Sequence, residues 1–344
     1  AEQQYTDVLN VTGCASLGRL QCLLAYNATW LLPTAIYYLP QRKRPYGCEY
    51  APTVDGIELA QLPWKLRDAG QFNTRVPVLL GYNKDEGTIG VDDSSTPEDH
   101  IYEKVRNMTA GDFVRLLTGV QFNIHPDELP AILDIYSVSS TSGGPDYSSW
   151  YWVATHFNGD YSFSCPTRRT ARALNRFSRS NVYMYYFAHV PRGKPFSWAG
   201  VKGRNNTAGA SHASEIAFVF LDETSDTHAL VGDDERLLSR TMAGYWINFA
   251  RASDPNPPTL PGDETRTSLT IKWEPFKASR ESSVRFDLPG LSAMVGRNNG
   301  QCDVVDKLGV VDPPQATALP TMEGRTHDMD AGGSATSSEA LLMV

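Results

Sequence analysis

The chain has 344 residues, of which 41% are hydrophobic and 20% are charged, a composition typical of a globular protein that buries a sizeable core. The 31 basic and 39 acidic residues give a formal net charge of −8, which argues against a nucleic-acid-binding protein because such proteins present a basic face. No polybasic segment suits an anionic membrane, and no apolar run approaches the roughly 20 residues that a membrane-spanning helix requires.

The first half of the chain alternates helical, loop and strand patterns. The first forty residues are predicted to be rich in helix, and a loop rich in Pro, Gly and charge follows over Arg42–Pro63. Val76–Gly81 is a short apolar run bounded by turn-forming residues, which predicts a buried strand of a parallel sheet. The next predicted elements are a polar loop, a pair of helices and a Ser/Gly-rich loop, over Asp92–Asp99, Ala110–Tyr136 and Ser137–Ser149.

The second half contains the strongest strand and helix patterns. A helix with a basic face is predicted over Cys165–Ser178, and Val, Tyr and Phe crowd into a strand over Asn181–Ala188. Asp234–Arg251 is an amphipathic helix whose acidic start suits the positive end of its dipole. The remaining segments are a Gly/Asn-rich loop, a late strand and a disordered tail, over Gly200–Gly209, Ser283–Leu288 and 313–344.

Strands that alternate with helices and long loops predict an α/β fold. A parallel sheet needs several paired strands with both faces covered, and the sequence shows too few strand patterns to complete one. We therefore expect an incomplete sheet, in which the apolar faces of Val76–Leu80 and Val182–Phe187 lie exposed as unpaired edges.

Cysteines and sequons indicate the compartment. Five cysteines are enough for two disulfides and one free thiol: Cys14, Cys22, Cys48, Cys165 and Cys302. Sequons for N-glycosylation, each common by chance, occur at four positions: Asn10, Asn27, Asn107 and Asn205. Together they favour a secreted parent protein, whereas five reduced and buried cysteines would suit a cytosolic one. The chain opens at Ala1 without a signal-peptide pattern, as expected of a processed chain or a fragment.

The first candidate for chemistry is the polar segment Gly81–Gly87 after the apolar strand. Loops at the carboxyl ends of parallel strands gather functional groups in α/β folds. A carboxylate there can orient a histidine and stabilise the imidazolium that forms during acyl transfer. The alternative is that Lys84, Asp85 and Glu86 form only a solvated turn.

The second candidate is His212, which follows a Gly-rich loop and precedes an apolar run. Histidine is the usual general base because its pKa lies near physiological pH. The alternative is a structural histidine that bonds to the backbone, and the chain has seven histidines.

These segments carry a resemblance to a known family. Leu80–Gly87 (LGYNKDEG), Ser211–Phe220 (SHASEIAFVF) and Tyr245–Asn256 (YWINFARASDPN) resemble, in order, three motifs of the type-B carboxylesterases. The resemblance implies that Glu86 is the acid and His212 the base of a Ser-His-Glu triad on an α/β-hydrolase fold. It extends from about Val11 to Leu308, so residues 1–312 are expected to form the C-terminal part of a carboxylesterase type-B domain.

The resemblance also implies two disulfides, Cys14–Cys22 and Cys165–Cys302, which leave Cys48 as the odd thiol. Glu215 is expected to be a buried structural carboxylate near the site. Trp150–Trp152 either lines the wall of a substrate gorge or, as we expect, packs in the core.

The chain departs from the family at the nucleophile, which belongs in a G-x-S-x-G turn between a strand and a helix. No serine of the chain has glycine at both −2 and +2. The nearest candidate, Ser211, adjoins the expected base, where it is badly placed for a Ser–His hydrogen bond. The oxyanion-hole glycines are also missing, because Gly143-Gly144 follows the acid motif. We therefore expect an incomplete α/β-hydrolase fold that lacks the N-terminal strands and the nucleophile turn.

The expected function is that of a serine esterase that acts on small-molecule carboxylic esters without a cofactor or metal. This chain would hold the acid and base but not the nucleophile, and it would be inactive alone. The alternatives are a non-catalytic binding or adhesion protein of the same family and a truncated product without a role of its own. The oligomeric state is left open.

Overall fold

The computed structural model describes residues 2–16, 18–27, 29, 54–88, 107–119, 122–139, 148–193, 209–223, 230–257, 267–308 and 341–342. The chain divides into two compact units, residues 1–66 with 115–124 and residues 67–114 with 125–344. Predictions for several positions therefore lie outside the described residues: Cys48, the polar loop 92–99, Gly143-Gly144 and Asn205.

The α-helices of the described residues are α1 (Glu2–Thr12), α2 (Arg19–Ala25), α3 (Pro63–Asp68), α4 (Ala110–Thr118), α5 (Leu129–Ile135), α6 (Ser149–Gly159), α7 (Cys165–Phe177), α8 (Ile216–Val219), α9 (Asp233–Ala252) and α10 (Asn299–Val305). A π-helical turn, Asp160–Ser164, joins α6 to α7, and short 3₁₀ turns span Glu86–Thr88 and Pro126–Glu128. The strands are β1 (Val78–Asn83), β2 (Val182–Phe187), β3 (Ser282–Phe286), β4 (Ser292–Val295) and β5 (Leu341–Leu342).

The first unit contains α1 and α2, which a disulfide links. Cys14 and Cys22 are bonded, with their Cα atoms 5.6 Å apart. The backbone N–H of Cys14 donates to the carbonyl of Leu9 at 2.8 Å, so the chain turns back directly after α1. Both Leu9 and Cys14 are buried.

The second unit is built on a mostly parallel sheet with the strand order β4-β3-β2-β1-β5. β2 lies parallel to β1 on one side and to β3 on the other, whereas β4 runs antiparallel to β3. The two-residue β5 pairs in parallel with the start of β1. The three predicted strands are present, and the mixed α/β class is confirmed.

The expectation of exposed, unpaired strands is wrong. Val78–Leu80 is buried, and all six residues of β2 are buried and paired with β1. Tyr185–Phe187 of β2 also pair with β3 on the other side. The physical reason is that helices of this same chain cover both faces of the sheet, as a parallel sheet requires.

The two faces of the sheet follow the alternation of residues along each strand. On one face, Leu79, Tyr183, Tyr185 and Phe187 pack with the apolar side of α9 and with Trp273 and Phe286. On the other face, Leu80, Met184 and Tyr186 pack with α7 residues that include Ala171 and Leu174. The predicted helices over Cys165–Ser178 and Asp234–Arg251 are therefore confirmed as the covering layers.

Other boundaries differ from the predictions. Pro63 and Ser149 begin helices α3 and α6 rather than ending loops. The described part of Ala110–Tyr136 contains two helices, as predicted. The disordered tail predicted over 313–344 falls outside the described residues except for Leu341–Leu342, which form β5.

Replacing Cys165 and Cys302 together with serine is expected to lower the free energy of unfolding by about 4 to 5 kcal/mol in the chain-entropy model. The two cysteines are buried and bonded across 137 residues, with their Cα atoms 5.1 Å apart. The matched double variant at Cys14 and Cys22, whose separation is 8 residues, is expected to lose only about 2 to 3 kcal/mol. Urea unfolding of both variants measures the two losses of unfolding free energy. Equal losses would contradict the expectation that the disulfide across the longer loop stabilises the chain more.

Candidate active site

Residues 84–88, which include Glu86 and are called the acid turn here, begin where β1 ends. Asn83 is the last residue of β1, and Glu86 opens the 3₁₀ turn that follows. The backbone N–H of Lys84 donates to the carbonyl of Phe187 at 2.8 Å, which carries the pairing with β2 one residue further. Because Asp85 and Glu86 are buried, the turn is not the solvated surface turn that was the alternative.

The acid turn packs directly on the backbone of α6. A Cβ atom added at Gly87 would lie 1.9 Å from the carbonyl oxygen of Thr155 and 2.4 Å from the backbone nitrogen of Gly159. The Asn158 side-chain amide donates to the carbonyl of Gly87 at 2.9 Å. Gly87 is therefore required by a close approach of two backbones.

Asp85 fastens the acid turn to the segment that carries His212. Its backbone N–H donates to the carbonyl of Ala210 at 2.9 Å, and its Oδ2 accepts from the N–H of Ala210 at 2.8 Å. Gly209 has φ +67°, and a Cβ there would lie 2.1 Å from Asp85 Oδ2. The two segments therefore meet through a pair of hydrogen bonds that only glycine at position 209 accommodates.

Glu86 and His212, separated by 126 residues, meet through a hydrogen bond of 2.7 Å between Oε2 and Nδ1. The second carboxylate oxygen, Oε1, accepts from the backbone N–H of Asn83 at 2.7 Å. The Glu86 side chain is 7% exposed and the His212 side chain 41% exposed. A buried carboxylate thus holds one nitrogen of a histidine ring that is itself open to solvent.

The electrostatics of the pair follow from this contact. The hydrogen bond to Glu86 raises the pKa of His212 above its usual value of 6.5, against the opposing effect of burial. Because a carboxylate only accepts, Nδ1 carries the proton when the ring is neutral. Nε2 is then the nitrogen that can accept a proton.

In an NMR titration of the 344-residue chain, His212 is expected to show a midpoint above 6.5, and Glu86→Gln is expected to move that midpoint down. Since the folded-state pKa is raised, the pair stabilises the fold fully below the unfolded pKa and loses this contribution as pH rises through the folded value. His156, whose pKa burial lowers, serves as the reference and should titrate below 6.5 in both proteins. An unchanged His212 midpoint in Glu86→Gln would contradict the conclusion that the Glu86 carboxylate raises the pKa of His212.

An aromatic side chain from the π-helical turn supports the His212 ring. The rings of Phe163 and His212 have centroids 4.8 Å apart and an interplanar angle of 37°. π-Helical turns often occur at functional sites because they reorient side chains within a helix. Sequence reasoning missed Phe163, since an isolated aromatic residue before Cys165 carries no signal of its partner.

Two further buried residues, Asn83 and Glu215, lie beside the Glu86–His212 pair. The Asn83 side-chain amide donates to the carbonyl of Ser211 at 2.8 Å and to the Glu215 carboxyl. Burial and the nearby Glu86 charge raise the pKa of Glu215 to about 7. Glu215 is buried, as expected, whereas the role of Asn83 was not predicted, although a polar residue at the end of an apolar strand was a visible signal.

Other candidate residues from the sequence are buried. Ser211 is 0% exposed and its hydroxyl oxygen is buried, which agrees with its rejection as a nucleophile. Tyr151 and Trp152 are buried, so the expectation that this aromatic run packs in the core holds for these two residues. Among the described residues, no three His, Cys, Asp or Glu side chains are grouped as metal ligands. Within the same ranges, no helix is long and apolar enough to cross a membrane.

A known family model matches most of the chain. Residues 1–305 match the model described as "Carboxylesterase family". The chain belongs to the carboxylesterase family. Membership implies the α/β-hydrolase fold, of which the mostly parallel sheet with helices on both faces is a part.

Individual carboxylesterase relatives cover the chain in part. Carboxylesterase 3 of Pongo abelii is 30% identical over 267 residues, which are 75% of this chain and 43% of that protein. Human carboxylesterase 3 is 30% identical over 62% of the chain, and human neuroligin-2 is 27% identical over 71% of it. The chain spans less than half the length of these curated relatives, at 43%, 36% and 29%.

The two disulfides of this carboxylesterase chain indicate the secretory pathway, because disulfides form and persist in oxidising compartments. Three of the four sequon asparagines are in the described residues and are exposed: Asn10, Asn27 and Asn107.

Proposed function

We propose that this chain supplies the acid and the base of a serine esterase of the Ser-His-Glu type, which hydrolyses small-molecule carboxylic esters. The observation that carries the proposal is the 2.7 Å hydrogen bond between Glu86 Oε2 and His212 Nδ1. A buried carboxylate that holds the far nitrogen of a solvent-open histidine is the arrangement that acyl transfer requires.

The chemistry follows from the roles of the two nitrogens. Glu86 keeps the proton on Nδ1, so that Nε2 accepts the proton of a serine hydroxyl as that hydroxyl attacks the ester carbonyl. The imidazolium that forms is stabilised by the Glu86 carboxylate, and His212 then returns its proton to the departing alcohol. The acyl group is then bound to the serine. In a second cycle His212 takes a proton from water, which attacks this acyl-enzyme, and the serine oxygen leaves with that proton as the carboxylic acid is released. No step of this mechanism uses a cofactor or a metal.

The nucleophile is proposed to come from sequence outside these 344 residues, which contain no G-x-S-x-G turn. The strands and the oxyanion-hole glycines that accompany such a turn are proposed to come from the same outside sequence. We call the polypeptide that carries this chain together with that serine the complete esterase.

The 344-residue chain alone is expected to hydrolyse a short-chain aryl ester no faster than buffer, because its sequence contains neither a G-x-S-x-G turn nor a Gly-Gly pair before the acid motif. The measurement is the initial rate of release of the aryl alcohol at several chain concentrations, with the His212→Ala chain as the control. A rate that rises with chain concentration and disappears in His212→Ala would show that a nucleophile is present in the chain.

A non-catalytic binding protein of the same family is the second candidate, and the observation that favours it is a similarity to human neuroligin-2, whose name, unlike those of the carboxylesterases, specifies no ester chemistry. Such a protein has no chemical need for a buried acid joined to a base. The intact Glu86–His212 contact therefore supports the esterase. Ester hydrolysis by the complete esterase separates the two candidates.

Secretion and glycosylation belong to the same proposal. The disulfides and the exposed sequons at Asn10, Asn27 and Asn107 support a secreted glycoprotein. Asn205 is proposed as a fourth acceptor from its sequon alone.

A further inference from the structure

We infer that Asn83 is a positioning residue. Its backbone and side chain together hold the Glu86 carboxylate and the turn of residues 211–214, the His212 turn, in the relative position that lets Glu86 and His212 meet. The inference rests on the proposed acid–base role of the pair. It adds a residue that the acid and base motifs do not assign.

On the acid side, Asn83 orients the carboxylate of Glu86. Asn83 is 1% exposed, and its backbone N–H donates to Glu86 Oε1 at 2.7 Å. This bond occupies one oxygen and directs the other, Oε2, to His212 Nδ1. A carboxylate that is fixed at one oxygen has little freedom to rotate away from its histidine.

On the base side, the Asn83 amide holds both flanks of the His212 turn. One Nδ2 group donates to the carbonyl of Ser211 at 2.8 Å and also to the carboxyl of Glu215. These partners lie 128 and 132 residues further along the chain. One precedes His212 by a single residue and the other follows it by three, so the amide spans the turn that presents the ring.

The His212 turn needs such support because its backbone is not relaxed. The N–H of Ser214 donates to the carbonyl of Ser211 at 3.1 Å, which closes a four-residue turn. Ala213, in that turn, has φ +66°, a left-handed conformation that favours glycine over alanine. External hydrogen bonds to the turn therefore help to hold the conformation that aims His212 at Glu86.

The chemistry of the site requires a neutral double donor at position 83. The two N–H bonds of an amide reach two acceptors at once. An aspartate would place oxygen against the carbonyl of Ser211 and against the carboxyl of Glu215, the two acceptors that the amide now contacts. An alanine would remove one donor from the Glu215 carboxyl and one from the Ser211 carbonyl, which would keep only its bonds from Ser214.

The test is an NMR titration of His212 in the 344-residue chain with Asn83→Ala, with Asn83→Ser as a milder variant that keeps one donor. We expect Asn83→Ala to lower the His212 midpoint towards 6.5 and to speed the exchange of the Nδ1 proton, with a smaller change in Asn83→Ser. In the complete esterase, Asn83→Ala is expected to lower kcat by about 10- to 100-fold and to change KM less than about threefold.

The matched control is Asn248→Ala, because Asn248 is also a buried asparagine whose amide donates to a backbone carbonyl, that of Pro255 in another part of the unit. It is expected to lose stability without moving the His212 midpoint. If Asn83→Ala and Asn83→Ser both leave the midpoint and the exchange rate as in the parent chain, Asn83 is only structural and the inference is wrong. If Asn83→Ala does not fold, the Asn83→Ser result alone decides.

Failure of this inference can be told apart from failure of the proposed function. The midpoint of His212 reports on the position of the ring and needs no ester hydrolysis. A complete esterase that keeps its rate in His212→Ala would overturn the proposed function, whatever the titration of the Asn83 variants shows.

Discussion

Replacing His212 with alanine in the complete esterase is expected to lower kcat for a short-chain aryl ester on the order of 10⁴-fold or more. Without the imidazole, no group accepts the proton of the nucleophile serine or returns it to the leaving alcohol. Glu86→Gln is expected to lower kcat on the order of 10²- to 10⁴-fold, because a neutral amide neither selects the reactive tautomer nor stabilises the imidazolium. Steady-state kinetics on the purified variants measure both effects.

The control is His125→Ala, since His125 is an exposed histidine at the start of a 3₁₀ turn. It should change kcat less than twofold. The double variant at Glu86 and His212 should be no slower than His212→Ala, because residues that act as a unit are not additive. Retained turnover in His212→Ala would contradict the acid–base assignment.

Replacing Gly87 with alanine is expected to lower the free energy of unfolding by more than about 3 kcal/mol. The added methyl would overlap the backbone of α6 at Thr155 and Gly159. Backbone atoms on both sides leave no flexible side chain to move aside, so the acid turn must shift as a whole. Urea unfolding gives the stability, and the His212 midpoint in the folded fraction reports whether the turn has moved from the ring.

Gly290→Ala is the matched control, because a Cβ there meets no atom within 4 Å. It is expected to change the free energy of unfolding by no more than about 1 kcal/mol. Equal stability of Gly87→Ala and Gly290→Ala would contradict the close packing of the acid turn on α6.

Helix α9 and strand β2 could be predicted because the sequence patterns that mark them are local. Asp234–Arg251 has apolar residues at helical spacing and an acidic start, and the structure places helix α9 over Asp233–Ala252. β2 is crowded with Val, Tyr and Phe, which suit a buried strand. In contrast, α6 buries eight of its 11 residues, so it lacks the polar face that makes a helix visible in a sequence. β4 is short and mostly exposed, and no alternating pattern marks it.

The site was predictable only through its motifs. The spacing of Glu86 and His212 says nothing of their contact, which arises because the ends of β1 and β2 lie side by side and Asp85 pairs with Ala210. The roles of the Asn83 side chain and of Phe163 could not be assigned from the sequence, since their partners Ser211, Glu215 and His212 lie tens of residues away or more. The expectation of exposed strands failed for a related reason, because it counted strand patterns without knowing which helices cover them.

The most direct measurement labels the complete esterase with a fluorophosphonate, which reacts covalently with an activated serine, and maps the labelled residue by mass spectrometry. We expect a single labelled serine in a G-x-S-x-G turn outside these 344 residues, and no labelling in His212→Ala. A label on any residue of this chain, or labelling that is unchanged in His212→Ala, would contradict the claim that Glu86 and His212 activate a serine from elsewhere in the protein.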